Sequence, residues 1–206
     1  MALLHKATLD PTKRALMTAW LATRPWADGF DPVRTIASYR FDDPAGEVGL
    51  EGALLVDDAG AVAHVPLSYR GAPLEGADPF LVGTAEHSVL GRRWVYDACG
   101  DPIWVAALAA AIATGGGGAE QYFEVDGERV VVEPRMTVHG SGSPDAAVPV
   151  TAAIDDVHDD GATTVTRSGG VELVVVRMVG TTIAAEQTLS GRWGDASGVL
   201  AGLRPA

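Results

Sequence analysis

Apolar positions along this chain follow two periods, and each period assigns its own set of elements. Between Asp10-Pro11 and Arg24-Pro25, the residues Ala15, Leu16, Ala19 and Trp20 recur at helical spacing. An acidic cap followed by proline starts a helix and a later proline ends one, which predicts an amphipathic helix over 11–23. From Val33 to Tyr69 the texture changes to three β-prone runs, VRTIASYRF, LEGALLV and AVAHVPLSY, the last two separated by Asp57-Asp58-Ala59-Gly60. In the third run Ala61, Ala63, Val65, Leu67 and Tyr69 alternate against Val62, His64 and Ser68, the period of a half-buried strand. The three runs predict an antiparallel meander. RRWVYD, 92–97, adds another strand, and Asp101-Pro102 repeats the helix-start signal. Ile103, Trp104, Val105, Leu108 and Ile112 carry that second helix to Thr114, where Gly115 to Gly118 stop it.

Beyond the four glycines, QYFEV and ERVVVE flank Asp126-Gly127, a strong hairpin signal. A loop rich in Gly, Ser and Pro covers 140–149. TTVTRSGGVELVVVRMV predicts a second hairpin around Ser168-Gly169-Gly170, its second strand mostly buried. Ala184 to Leu189 reads as a short helix, and the tail is glycine-rich. There is no internal repeat. The expected fold is α+β: an antiparallel sheet with flanking helices over 1–114, followed by a second small antiparallel β-rich unit over 119–206, with the glycine run as the boundary.

Composition narrows the partners. At 206 residues and 47% hydrophobic, the chain can bury a sizeable core without disulfides or metals. A net charge of -12, with basic residues never gathered into a stripe, excludes nucleic acid as the expected partner. The longest apolar run, Ile103 to Ala113, is shorter than the about 20 residues that cross a membrane. MALLHKATLD is too short for the apolar centre of a signal peptide, and the single cysteine, Cys99, suits a reducing compartment, so the expected location is the cytoplasm.

The densest mix of charge and aromatics lies in GTAEHSVLGRRWVYDACGDPIW, 83–104. Glu86, His87, Arg92, Arg93, Trp94 and Tyr96 read in two ways. They form a ligand or partner surface, in which arginine forks hold a carboxylate, phosphate or sugar hydroxyl and an aromatic ring stacks. Alternatively they are strand residues whose arginines pair with nearby acids. Asp155, Asp156, His158, Asp159 and Asp160 have donors for a divalent ion, but consecutive acids do not converge by themselves and a solvated loop is expected. His139 with Ser141 suggests a serine nucleophile, yet the spacing does not fit a nucleophile elbow and Pro144 follows. These two groups define an alternative, a small hydrolytic or metal-assisted enzyme. Gly115 to Gly118 follow a helix instead of opening one, so they are no phosphate loop. No cofactor or resident metal is implied.

In order, WLATRPW, LSYR, WVYDACGDPIWVAALAAAI and VELVVVRMVG resemble the N-terminal cap and intermediate sheet of actinobacterial maltokinases and related sugar kinases. Trp20-Leu21-Ala22-Thr23-Arg24-Pro25-Trp26 matches the Trp-Leu-x-x-x-x-Trp element of the cap, and Tyr96-Asp97 leading to the helix from Asp101 matches its close. The resemblance implies a cap subdomain over most of 11–114, more faintly the kinase N-lobe over 163–190, and a setting in trehalose, maltose or glycogen metabolism. It also implies a departure, because the lysine that meets ATP phosphates falls at Val174, and the chain's two lysines are Lys6 and Lys13. Glu186, at the place of the glutamate that orients that lysine, would have nothing to orient. The catalytic and magnesium aspartates of such kinases belong to a C-terminal lobe beyond Ala206. The resemblance therefore implies a non-catalytic binding or docking protein, with a partner enzyme of α-glucan metabolism or a carbohydrate-linked ligand.

Overall fold

A computed structural model describes residues 2–3, 7–125, 127–151 and 153–206, with backbone alone for 2–3. The elements are β1 (Ala2–Leu3), β2 (Leu9–Asp10), α1 (Lys13–Leu21), β3 (Arg34–Phe41), β4 (Gly49–Val56), β5 (Val62–Arg70), β6 (Leu81–His87), β7 (Gly91–Asp97), α2 (Pro102–Thr114), β8 (Gln121–Val125) and β9 (Glu128–Val132). They continue with β10 (Thr137–Gly140), β11 (Asp156–Asp160), β12 (Thr163–Ser168), β13 (Val171–Val176), β14 (Gln187–Trp193) and β15 (Ala196–Pro205). One six-stranded sheet runs β2-β6-β7-β5-β4-β3, a second runs β10-β14-β15-β13-β12-β11, and β1-β8-β9 form a third. The fold is α+β and β-rich, and among the described residues no helix is long and apolar enough to cross a membrane.

The predicted meander and the strand over 92–97 are present as β3, β4, β5 and β7, and β3, β4 and β5 pair antiparallel in sequence. β5 differs from expectation in being covered on both faces. Ala53, Leu55, Val65 and Leu67 pack under α1 with Leu16, Met17, Trp20 and Leu21. Tyr39, Phe41, Leu50 and Leu54 pack from the opposite face against α2 and against Leu173, Val175, Leu189 and Leu200 of the second sheet. Residues on both sides of the glycine run thus contribute to one core. Helix α2 does not flank the structure; it lies between the sheets, which is why Trp104, Val105, Leu108 and Ile112 are all buried.

Main-chain bonds join the two large sheets. β7 pairs with β5 only along Leu67–Arg70. The exposed remainder of that β5 edge is taken by the backbone after β13: His64 N–H donates to Arg177 O at 2.8 Å and Val179 N–H to Val62 O at 2.8 Å.

Several elements differ from their sequence expectation. Helix α1 starts at Lys13 with Thr12 as its cap, the Thr12 hydroxyl accepting from Ala15 N–H, while Asp10 pairs with Glu86 in β2. Residues 184–189 form no helix; β14 begins at Gln187 because its backbone completes a ladder between β10 and β15. The glycine-rich tail is β15, central in its sheet, and a Cβ at Gly202 would lie 2.4 Å from Ala185 Cβ. The acidic run is strand β11, not a loop, paired with β12 along one edge. Asp101 caps α2 as expected, and Gly115 closes it at φ +67. The glycines after it are tightly packed, with Gly140 N–H donating to Gly116 O and a Cβ at Gly118 reaching 3.2 Å from Arg40 O. Both hairpins form, around Gly127 and around Gly169-Gly170; Asp126 of the first turn and Lys6 lie outside the described residues.

Candidate functional site

The β6–β7 hairpin carries the six residues singled out by sequence and distributes them. Glu86 and Arg92 stand opposite each other, Arg92 Nε donating to Glu86 Oε1 at 2.8 Å with both side chains largely in solvent. An exposed pair of this kind contributes little. His87 Nδ1 accepts from Val89 N–H and Leu90 N–H at 3.2 and 3.1 Å, closing the hairpin turn. Arg93 donates from Nη2 to Leu90 O, while its Nε is buried without a partner among the described residues. Trp94 is half-buried opposite Thr84 and Arg70. Tyr96 is 1% exposed and its hydroxyl accepts from Leu74 N–H at 2.9 Å, so its ring faces the interior and offers no stacking face.

His87 and Arg93 come together with residues from elsewhere around a cleft of about 550 Å³. Its wall includes Lys13 from α1, Arg40 and Phe41 from β3, Tyr69 from β5, Tyr122 from β8 and the turn Asp42 to Gly49. Beneath it lies Glu51 of β4, 4% exposed. Lys13 Nζ donates to Glu51 Oε2 at 2.5 Å, the Tyr69 hydroxyl donates to the same oxygen at 3.2 Å, and Arg40 Nη2 is 3.8 Å away. Burial works against the charge on Glu51, but Lys13 and Arg40 outweigh it and hold the carboxyl at about 2. Asp43 accepts from the backbone N–H groups of Ala45, Glu47 and Val48, which fixes the turn at the rim. The wall thus holds three cations, Lys13, Arg40 and Arg93, and three carboxylates, Asp42, Asp43 and Glu47, beside aromatic rings. Such a lining supplies donors, acceptors and a ring face together. It offers no excess of positive charge for a polyphosphate.

A second polar cluster is closed to solvent. Arg177 is fully buried, and its Nη2 donates to Asp97 Oδ2 at 2.5 Å and lies 3.3 Å from Cys99 Sγ. Its Nε donates to Thr164 Oγ1 at 2.7 Å, and its guanidinium stands 5.7 and 5.2 Å from the Trp20 and Trp26 rings. Burial opposes the charge, and Asp97 more than restores it. His64, also fully buried, lies between Val176 O and the Tyr39 hydroxyl, each 3.1 Å from a ring nitrogen. A neutral ring that donates to the carbonyl and accepts from the hydroxyl satisfies both. Burial, and then nearby Arg177, lowers its pKa to about 3. Trp20 and Trp104 are core residues and Trp26 is half-buried, so the first two present no surface to a partner.

The remaining sequence candidates are spread apart. Val174 is buried inside the second sheet, opposite Val165 and Gly202, and Glu186 is exposed outside any helix. Ser141 Oγ accepts from Thr188 N–H at 2.9 Å, tying the 140–143 turn to β14, and His139 pairs with Ser190 in β10. His158 Nδ1 and Asp156 Oδ2 are 2.7 Å apart on an exposed edge. Among the described residues no three His, Cys, Asp or Glu side chains converge as a metal holder. Cys99 is buried, which pushes its thiol well above the usual range.

Sequence reasoning missed Lys13, Arg40, Glu51 and Arg177. Glu51, the single charge within GLEGALLV, and Arg177, the cation that ends a run of valines, were the available signals.

No curated protein matches the chain. Residues 20–101, which run from the first tryptophan of the Trp-Leu-x-x-x-x-Trp element to the cap of α2 and contain Arg40, Glu51, Tyr69 and Arg93, match the family model described as the maltokinase N-terminal cap domain, and over that segment the chain resembles such a cap.

Proposed function

We propose that this protein is a non-catalytic binding module built on a maltokinase-type cap, acting in the cytoplasm within trehalose, maltose or glycogen metabolism, and that the cleft over Glu51 is its ligand site. The observation that supports this reading most is the cleft wall itself: among the described residues the Arg40 guanidinium comes no nearer to a carboxylate than 3.8 Å from Glu51, Arg93 Nε has no partner, and rim carboxylates face them across 550 Å³. Sugar hydroxyls donate and accept at once, so they suit a wall with both kinds of group and a tyrosine face. Placement of Val174 in the sheet interior supports the absence of phosphoryl transfer, since no cation stands there to meet phosphate oxygens.

Calorimetric titration of the purified chain with maltose, trehalose and ATP tests the reading. A saturable heat is expected with a sugar and not with ATP, weakened about tenfold or more in Arg40→Ala by loss of a charged hydrogen-bond donor. Affinity capture from a lysate examines the companion expectation of a partner enzyme. Silence toward both sugars, with no partner captured, would overturn the proposal.

A further inference from the structure

The third sheet ends in an unpaired strand. In the order β1-β8-β9, β9 pairs with β8 alone among the described residues. Its middle is Val130-Val131-Val132, and Val130 and Val131 are 49% and 53% exposed. An open edge with free main-chain N–H and C=O groups beside exposed valines is a template for another strand.

We propose that β9 pairs antiparallel with β9 of a second copy of this chain, about a two-fold axis through Val131, extending the three-stranded sheet to a continuous six-stranded one. The register follows from the hairpin. Val125 and Glu128 close its two-residue turn, and the closing pair of such a turn is a hydrogen-bonded one. Alternation then turns the main-chain groups of Val130 and Val132 toward β8 and those of Arg129 and Val131 outward, and continued one residue past the end of β9 it turns those of Glu133 outward as well. A symmetric ladder built from outward groups centres either on a hydrogen-bonded pair of one of those three residues or on a non-hydrogen-bonded pair of Val130 or Val132. Centred on Val130, Arg129 would face Val131, and centred on Val132, Glu133 would face Val131, so neither register sets opposite charges across the pair.

Centred on Arg129, two guanidinium groups would meet at the axis; centred on Glu133, two carboxylates would meet there. Centred on Val131, valine meets valine, Val130 faces Val132 of the partner subunit, and Arg129 faces Glu133 of the partner subunit, twice by symmetry. Neither charge has an ion-pair partner among the described residues, and Arg129 is held by stacking 4.9 Å over the Tyr122 ring with its N–H donors uncommitted. Opposite charges directly across a strand pair stabilise it, and like charges destabilise it by similar amounts.

Sedimentation velocity of the full chain, from about 1 µM to about 1 mM as befits a contact of small area, should show a monomer–dimer equilibrium. Arg129→Glu sets carboxylates opposite one another and Glu133→Arg sets guanidinium groups opposite one another. Each should weaken the dimer about tenfold or more, two pairs being reversed at once. The double variant restores the pairing and should dimerise like the wild type. Both positions are exposed, so all four proteins should fold as monomers, the two that carry Arg129→Glu melting only slightly lower through loss of the Tyr122 ring contact. A wild type that stays monomeric throughout, single variants that dimerise unchanged, or a double variant no better than the singles would each overturn the proposal.

Discussion

Replacing Arg177 by methionine keeps much of the aliphatic volume and removes the charge that Asp97 depends on. Asp97 is 6% exposed and its other oxygen caps the turn at Cys99, so the carboxylate cannot move to solvent without breaking local structure. Removing one partner of a buried ion pair costs about 3–5 kcal/mol, because the other charge stays buried and uncompensated. Loss of the two indole contacts adds on the order of 1 kcal/mol. For a domain of this size the sum, about 4–6 kcal/mol, corresponds to a fall in Tm of roughly 8–24 °C. Urea denaturation followed by tryptophan fluorescence reads the change directly, since Trp20 and Trp26 adjoin the guanidinium. Asp97→Asn in the Arg177→Met background removes the stranded charge while keeping an oxygen for Cys99 N–H, and should recover more than half of the loss. A single variant costing under about 1 kcal/mol, or a double variant whose losses simply add, would refute the reasoning.

Stability should also depend on acid in a defined window. His64 is neutral in the fold with a pKa of about 3 and takes up a proton near 6.5 once unfolded, so the unfolded chain binds more protons between those values. Stability is therefore complete above pH 6.5 and falls as pH drops toward 3, by about 2 kcal/mol between pH 6.5 and 5 at roughly 1.4 kcal/mol per unit. Glu51, held at about 2 against an ordinary 4.5, adds its own loss only below pH 4.5, and His64→Gln should flatten the upper window in a urea series. Gly140→Ala would place a Cβ 1.9 Å from Ala111 O in the last turns of α2, so a cost of at least about 1–3 kcal/mol is expected by thermal melting; an unchanged melting temperature would show that α2 and β10 are not packed as described.

What the sequence made legible were elements whose period and punctuation agree: β3 to β5, β7, α2 and the two hairpins. The misses share a physical cause, which is that a neighbour distant in sequence decides the outcome. Gly191 and Gly202 weaken any strand signal, yet they sit where Leu200 and Ala185 crowd the chain, so glycine is what lets β14 and β15 pack. β6 mixes Gly83, Thr84 and Glu86 and gains its identity from pairing with β7. The period-two pattern in β5 predicted one buried face, and the second is buried because α2 and the second sheet cover it. At the cleft, His87 and Arg93 stood out through local density of charge. Lys13, Arg40 and Glu51 are distant in sequence and meet only through the pairing of β3 with β4 and the seating of α1.

Binding without phosphoryl transfer is the central claim, and transfer of the γ-phosphate of labelled ATP to maltose by the purified chain with magnesium tests it most directly. The account predicts no labelled sugar phosphate above the protein-free blank. Accumulation of labelled product in proportion to the amount of the chain, whether or not Arg40→Ala lowers it, would contradict it.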